Sequence, residues 1–225
     1  MSLVLAFDIE RTGPSIQDRT IAIGASVVDE NLVELDSIFL PCYFEHDTKF
    51  DPQCWSDFWS KPTNLKVLET LKYKGKLDRF EREAEMIKLF QAFRYKWEVY
   101  AEKFSLKFEL VSDNNVFDGG FINQLIFTYL PKEKPIPYSA STGQYCSFWE
   151  THSQQRGLLL LVDPKFVQTK DWGYTEHINK LYNVPEKSKT HDHNPVNDAY
   201  CIAFDQQILL GIRKGSIKKR TAVTT

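Results

Sequence analysis

Leu3-Val4-Leu5-Ala6-Phe7-Asp8-Ile9-Glu10-Arg11-Thr12-Gly13 opens as an apolar run of strand length and ends in charge and glycine. The run Leu3 to Phe7 predicts a buried strand. Residues two apart in a strand project to the same side, so Asp8 and Glu10 point together. Side-by-side carboxylates repel each other unless a cation lies between them or water screens them. Their hard oxygens suit Mg²⁺ or Mn²⁺. Gly13 and Pro14 then break the strand, which places the pair at its C-terminal end. Taken alone the pair is a weak signal, because solvated strand edges carry such residues too.

Outward from this stretch, Thr20 to Val28 and Leu32 to Leu40 read as two more strands. Asp29, Glu30 and Asn31 between them are turn residues, so the two should form a hairpin. Pro41 to Pro62 is irregular and rich in aromatics. Glu81 to Phe104 is the clearest helix: Met86, Phe90, Phe93, Trp97, Tyr100 and Phe104 follow at spacings of 4, 3, 4, 3 and 4. That rhythm puts all six on one face, expected to pack on a sheet. Leu106, Phe108 and Leu110 alternate with Lys107 and Glu109, which is strand periodicity. Gly119 to Leu130 looks helical, Pro131 to Pro137 is a loop, Leu158 to Val162 reads as a strand, and Glu176 to Tyr182 as a short helix. Asn194-Pro195 opens the last helix, which runs to about Leu210, since Asn favours the cap and Pro the first helical position. This order predicts an α/β domain with one sheet, antiparallel through its hairpin.

Composition narrows the classes. The chain has 225 residues, 42% apolar and 26% charged, which is globular and needs no disulfide or metal to fold. No apolar run approaches the ~18 residues of a membrane span. With 28 basic and 30 acidic residues, no global field draws in a polyanion, so nucleic-acid affinity must come from local patches. Lys72, Lys74, Lys76 and Arg79 form one such cluster, read first as a solvated helix lead-in. No acidic residue follows Asp205, and residues 213–225 read as a basic tail, either a solvated end or a phosphate-binding arm. Cys42, Cys54, Cys146 and Cys201 form no CxxC pair, so reduced thiols in an intracellular protein are expected. The sequence lacks a Walker A loop, a GxGxxG and a GxSxG elbow.

Two further acidic signals follow. Ser112-Asp113-Asn114-Asn115-Val116-Phe117-Asp118 lies between a strand and a helix, where α/β sheets bind ligands. A turn with a helix cap explains the same residues without chemistry. In His193-Asn194-Pro195-Val196-Asn197-Asp198, His193 stands just before the last helix and Asp198 in its first turn, so the two can reach one small volume. An imidazole is suited to take a proton from water at neutral pH. Asp198 would also complement the helix dipole with no catalytic role. His191-Asp192-His193 suggests zinc only faintly, because no thiolate or second histidine pair stands at matching spacing.

Together the three motifs give a resemblance. The sequence is similar to the DEDDh 3′→5′ exonucleases of the ribonuclease H-like fold from about residue 3 to 207. Asp8, Glu10, Thr12 and Gly13 meet the first motif, DxExTG. Ser112, Asn114, Phe117 and Asp118 meet the second, with Asp113 where the family carries His. His193 and Asp198 meet the third, HxxxxD. The resemblance implies an exonuclease domain over residues 1–212, with a mixed sheet of about five strands flanked by helices. It implies catalysis by Asp8, Glu10, Asp118, His193 and Asp198, with the four carboxylates holding two Mg²⁺ or Mn²⁺ ions and His193 deprotonating water. It implies substrate contacts from Thr12, Gly13 and Asn114. Arg11, a departure between Glu10 and Thr12, could reach a phosphate, and Phe58 or Trp59 could flank the terminal base, with core packing of both as the plainer reading. The partner implied is the 3′ end of single-stranded DNA, slightly favoured, or of RNA, with a homodimer allowed and no membrane. A nucleic-acid-binding protein that has lost the chemistry is the distant alternative. Asp113 adds a negative charge near the site, a departure that bears on metal affinity.

Overall fold

The computed structural model describes residues 1–45, 48–146, 148–163, 166 and 173–220. Among these residues the sheet has five strands: β1 (Ser2–Arg11), β2 (Thr20–Asp29), β3 (Glu34–Pro41), β4 (Lys107–Ser112) and β5 (Phe148–Glu150), in the order β3-β2-β1-β4-β5. β1 pairs antiparallel with β2 and parallel with β4, and β4 pairs parallel with β5. The helices are α1 (Pro52–Cys54, running on into a π-helical turn Trp55–Trp59), α2 (Pro62–Leu71), α3 (Arg79–Lys103), α4 (Asn115–Tyr129), α5 (Thr151–Val162), α6 (Tyr174–Leu181) and α7 (Pro195–Arg213). None among the described residues is long and apolar enough to cross a membrane.

β1 is central and buried along all ten residues, as its apolar start requires. Its alternation splits the core into two layers. Leu3, Leu5, Phe7 and Ile9 pack with Met86, Phe90, Phe93 and Trp97 of α3 and with Ile122 and Ile126 of α4. Val4 and Ala6 pack on the opposite face with Tyr200, Ala203 and Phe204 of α7. Asp8 and Glu10 continue this second face, so the strand's period carries them toward α7. The hairpin expected at Asp29 to Asn31 forms, with Val27 opposite Asp36.

Several expectations need correction. Leu158 to Val162 is not a strand; it is the end of α5, with Leu159 buried and Leu161 85% exposed. Five apolar residues are too few to separate a period of 2 from one of 3.6. The fifth strand is instead the short Phe148–Glu150, whose three residues offer no readable alternation. α1 and its π-helical turn fall inside the stretch expected to be irregular, and α2, unforeseen beyond it, starts at Pro62, a favoured first helical position. α4 begins four residues before Gly119, with Asn114 accepting the Phe117 N–H as its cap. That earlier start sets Asp118 in the first turn.

The aromatic stripe of α3 is only partly core. Met86, Phe90, Phe93 and Trp97 are buried, but Tyr100 and Phe104 are 42% and 53% exposed. Trp97 Nε1 donates to Asp36 of β3, and beyond it Ala101 is the helix residue that stays in the core. The helix starts two residues before Glu81, under a capping box of Asp78 and Glu81.

The basic end is not a loose arm as far as Arg220. The Asn183 N–H donates to the Lys218 carbonyl, the Arg220 N–H donates to the Leu181 carbonyl, and Arg220 Nε donates to the carbonyls of Asn179 and Tyr182. Gly215, at a φ of 73°, makes the turn that allows this return. Residues 221–225 of the expected tail lie outside the described residues.

Candidate active site

The site is assembled by one close approach. Asp8 pairs with Gly24 across the β1–β2 ladder. A Cβ on Gly24 would sit 2.1 Å from the Pro195 carbonyl carbon, so the N-terminus of α7 rests directly on the β2 backbone. Only glycine permits that contact. It delivers Asp198, in the first turn of α7, to the two β1 carboxylates, and Asp8, Glu10 and Asp198 each offer an oxygen within 4.8 Å of the others. On the other side β4, parallel to β1, ends at Ser112 and passes into α4, which supplies Asp118. The cluster therefore lies beyond the C-terminal ends of two parallel strands, where open α/β sheets place their ligands.

Asp8, Glu10, Asp118 and Asp198 are all buried, at the floor of a cleft of about 660 Å³. Burial, then the charges of Glu10, Asp118, Asp113 and Asp198, holds the Asp8 carboxyl well above its ordinary range. Burial and the neighbouring aspartates do the same to Glu10, and burial with Asp113 to Asp118. Burial pushes Asp198 up to about 7, although the Asp192 N–H donates to its Oδ1 at 2.9 Å. Four such groups cannot all ionise at neutral pH without a compensating charge. Among the described residues, Asp8 Oδ2 is buried with no hydrogen-bond partner. An unpartnered carboxylate oxygen amid hard oxygen donors fits a divalent cation such as Mg²⁺ or Mn²⁺.

His193 lies at the cleft wall with its ring edge-on to Phe58, centroids 4.6 Å apart. Burial and the neighbouring His191 lower its pKa below the usual histidine value. It is therefore neutral at pH 7 and able to accept a proton. Its φ of 65° turns the chain sharply before α7. Asn194 caps that helix as expected, its side chain accepting the Val196 N–H at 3.2 Å.

The remaining candidates divide. Phe58 and Asn114 line the cleft. Arg11 does not: it follows Glu10 on the opposite side of the strand, donating to the carbonyls of Ser15, Gly13 and Asp18 and lying over the Phe121 ring. Trp59 is fully buried and its Nε1 donates to the Arg11 carbonyl at 3.0 Å, so it packs as core while Phe58 faces the cleft. Thr12 and Gly13 hold the turn that ends β1. Thr12 Oγ1 accepts the Arg19 N–H at 2.9 Å, and a Cβ on Gly13 would meet Asp18 and Asp51 at 2.5 Å. The basic cluster ahead of α3 lies away from the cleft, with Lys72 and Arg79 paired to Glu69 and Glu83.

Sequence reasoning gave no catalytic place to His191, whose Nε2 lies 3.5 Å from Asp198 Oδ2. The signal was present in His191-Asp192-His193: two histidines separated by one residue arrive at one wall together. Glu150, His152, Thr175, Glu176 and Asp205 also line the cleft, from α5, α6, α7 and their approaches. No pattern along the chain linked them to Asp8.

The mixed five-stranded sheet flanked by helices is an α/β, ribonuclease H-like fold. Among the solved structures that share it are two of 3′-exonucleases. One shows 3′-end-specific recognition of a histone mRNA stem-loop by a 3′-exonuclease, with a TM-score of 0.55 and 11% identity over 100% of this chain and 92% of that one. The other is a full-length 3′-exonuclease, with a TM-score of 0.55 and 10% identity over 99% of this chain and 68% of that one. No family model and no curated protein matches the sequence.

Proposed function

We propose that this chain is a metal-dependent 3′→5′ exonuclease that hydrolyses phosphodiester bonds at the 3′ end of single-stranded nucleic acid and releases nucleoside 5′-monophosphates. One observation carries the reading: Asp8, Glu10, Asp118 and Asp198 converge, buried, around an unpartnered Asp8 oxygen, with His193 at the wall of the same cleft. These four carboxylates would hold two divalent ions, Mg²⁺ or Mn²⁺. Bound there, the ions supply a water of lowered pKa and offset the charge that develops on the phosphate. An imidazole nitrogen of His193 takes the water's proton, and burial keeps that nitrogen free to do so. Phe58 offers an apolar face against which a terminal base stacks without regard to sequence, worth about 1–3 kcal/mol. The cleft floor belongs to the sheet and to two helix starts, so the groups are aligned before substrate arrives. The compartment we propose is intracellular, where the four free thiols stay reduced.

DNA and RNA fit this site equally. The sequence alone favours DNA slightly, and the likeness to an exonuclease that recognises an mRNA stem-loop favours an exoribonuclease. The test uses two 5′-labelled single strands of one sequence, one DNA and one RNA, with Mg²⁺ or Mn²⁺. A ladder shortening from the 3′ end, lost with EDTA and with Asp8→Ala, is the expected result, and the faster strand names the substrate. Intact strands under every condition would replace the exonuclease with a binding protein on this fold.

A further inference from the structure

We infer that Asp113 is a fifth metal-ligating carboxylate, holding one of two divalent ions together with Asp8 and Asp118. The inference rests on the nuclease reading above and adds a ligand at the position where the exonucleases that this sequence resembles carry histidine. Asp8, Asp113 and Asp118 each offer a carboxylate oxygen within 4.8 Å of the others. This triple shares only Asp8 with the triple of Asp8, Glu10 and Asp198. Asp8 is thus the common corner of two adjacent oxygen sites, which is the arrangement a bridging carboxylate needs. Asp8 is 9% exposed, and among the described residues its Oδ2 accepts no hydrogen bond. Leaving such an oxygen unpartnered is costly, and a cation removes the cost.

Asp113 completes the second triple from the solvent side. It is half-buried at the cleft, whereas Asp8 and Asp118 are buried beneath it. The chain holds it there between two fixed points. Ser112 ends β4, and Asn114 caps α4 through the Phe117 N–H while its own N–H donates to Asp118 Oδ2 at 3.3 Å. A histidine in the same place would offer a softer nitrogen, whereas a carboxylate offers the hard oxygen that Mg²⁺ and Mn²⁺ take.

The test counts bound ions without needing turnover. Full-length protein, freed of metal by chelation, is titrated with Mn²⁺, and free Mn²⁺ is followed by electron paramagnetic resonance. Wild type is expected to bind two ions. Asp113→Asn is expected to keep one and to hold the other about tenfold or more weaker, since even outer partners of a metal site are worth about 10–100-fold in affinity. Glu150→Gln removes a charge from the same cleft wall outside both triples and should still bind two. Asp113→Asn relieves repulsion, so its metal-free form should melt no lower than wild type. Two ions bound by Asp113→Asn within about twofold of wild-type affinity, or an equal loss in Glu150→Gln, would overturn the assignment. Two ions held through Asp113 by a protein that shortens no strand would uphold it and defeat the nuclease reading instead.

Discussion

The two faces of β1 have the same backbone and opposite purposes. Leu3, Leu5, Phe7 and Ile9 meet α3 and α4 in a dry apolar layer, where every contact favours the folded state. Val4 and Ala6 begin an equally dry layer against α7, but the next two residues on that face are Asp8 and Glu10. There the strand buries like charges, and α7 and α4 bring Asp198 and Asp118 to join them. One face stabilises the fold, and the far end of the other opposes it as long as no cation compensates the buried charges. A cluster costly to the free protein and useful only with a ligand marks where function resides.

Substitutions on the two faces should therefore separate activity from stability. Asp8→Ala sits at the top of the scale: turnover should fall by at least about 10³-fold, roughly 4 kcal/mol of barrier, because both ions lose a shared ligand. Its metal-free form should be no less stable than wild type, and a strongly destabilised Asp8→Ala protein would erase the contrast between the faces. His193→Ala should slow hydrolysis by about 10²–10⁴-fold and remove the acidic limb of the pH–rate profile. An unchanged profile would assign the proton to another group, and His191, 3.5 Å from Asp198, is the first to examine. Phe90→Ala, on the other side of the sheet, should cost about 3–5 kcal/mol in denaturant unfolding while the folded fraction keeps its turnover.

The smallest effect is a slope. The raised carboxyl groups bind more protons in the folded state than in the unfolded one, and Asp198 does so between 3.8 and about 7. Stability of the metal-free protein should fall as pH rises through that window, because the unfolded chain releases those protons first. His191 and His193, lowered by burial, act in the opposite sense below their ordinary value, so melting of wild type is compared with that of Asp198→Asn at pH 5 and pH 8. Wild type should lose ground to the variant as pH rises, and a gain would contradict the buried repulsion.

What the sequence made legible was local. Period-2 alternation exposed the shared direction of Asp8 and Glu10, and the Asn194-Pro195 cap placed Asp198 one turn into a helix. These signals occupy a few consecutive residues and survive without knowledge of the fold. What stayed hidden depended on distant partners. Gly24 matters because Pro195 lands on it, 171 positions away in the chain. Arg11 was a candidate for a phosphate, yet it lies on the other side of the strand. Of Phe58 and Trp59, for both of which core packing was the plainer reading, only Trp59 packs as core, spent on the Arg11 carbonyl. Leu158 to Val162 was ambiguous for a different reason: five apolar residues fit either period, and only the packing of Leu159 decided for a helix. Asp113 was visible as a departure, but its place beside Asp8 and Asp118 came from the pairing of β4 with β1.

The acidic end of β1 is proposed to be a cation site. Scanning calorimetry of wild type and Asp8→Ala, each with and without Mn²⁺ at neutral pH, tests it most directly. An ion that binds only the folded state raises the melting temperature, by about 2.7 kcal/mol of stability at a hundred times its dissociation constant. The account predicts that rise in wild type and its loss in Asp8→Ala. An equal rise in both proteins, or none in wild type, would contradict it.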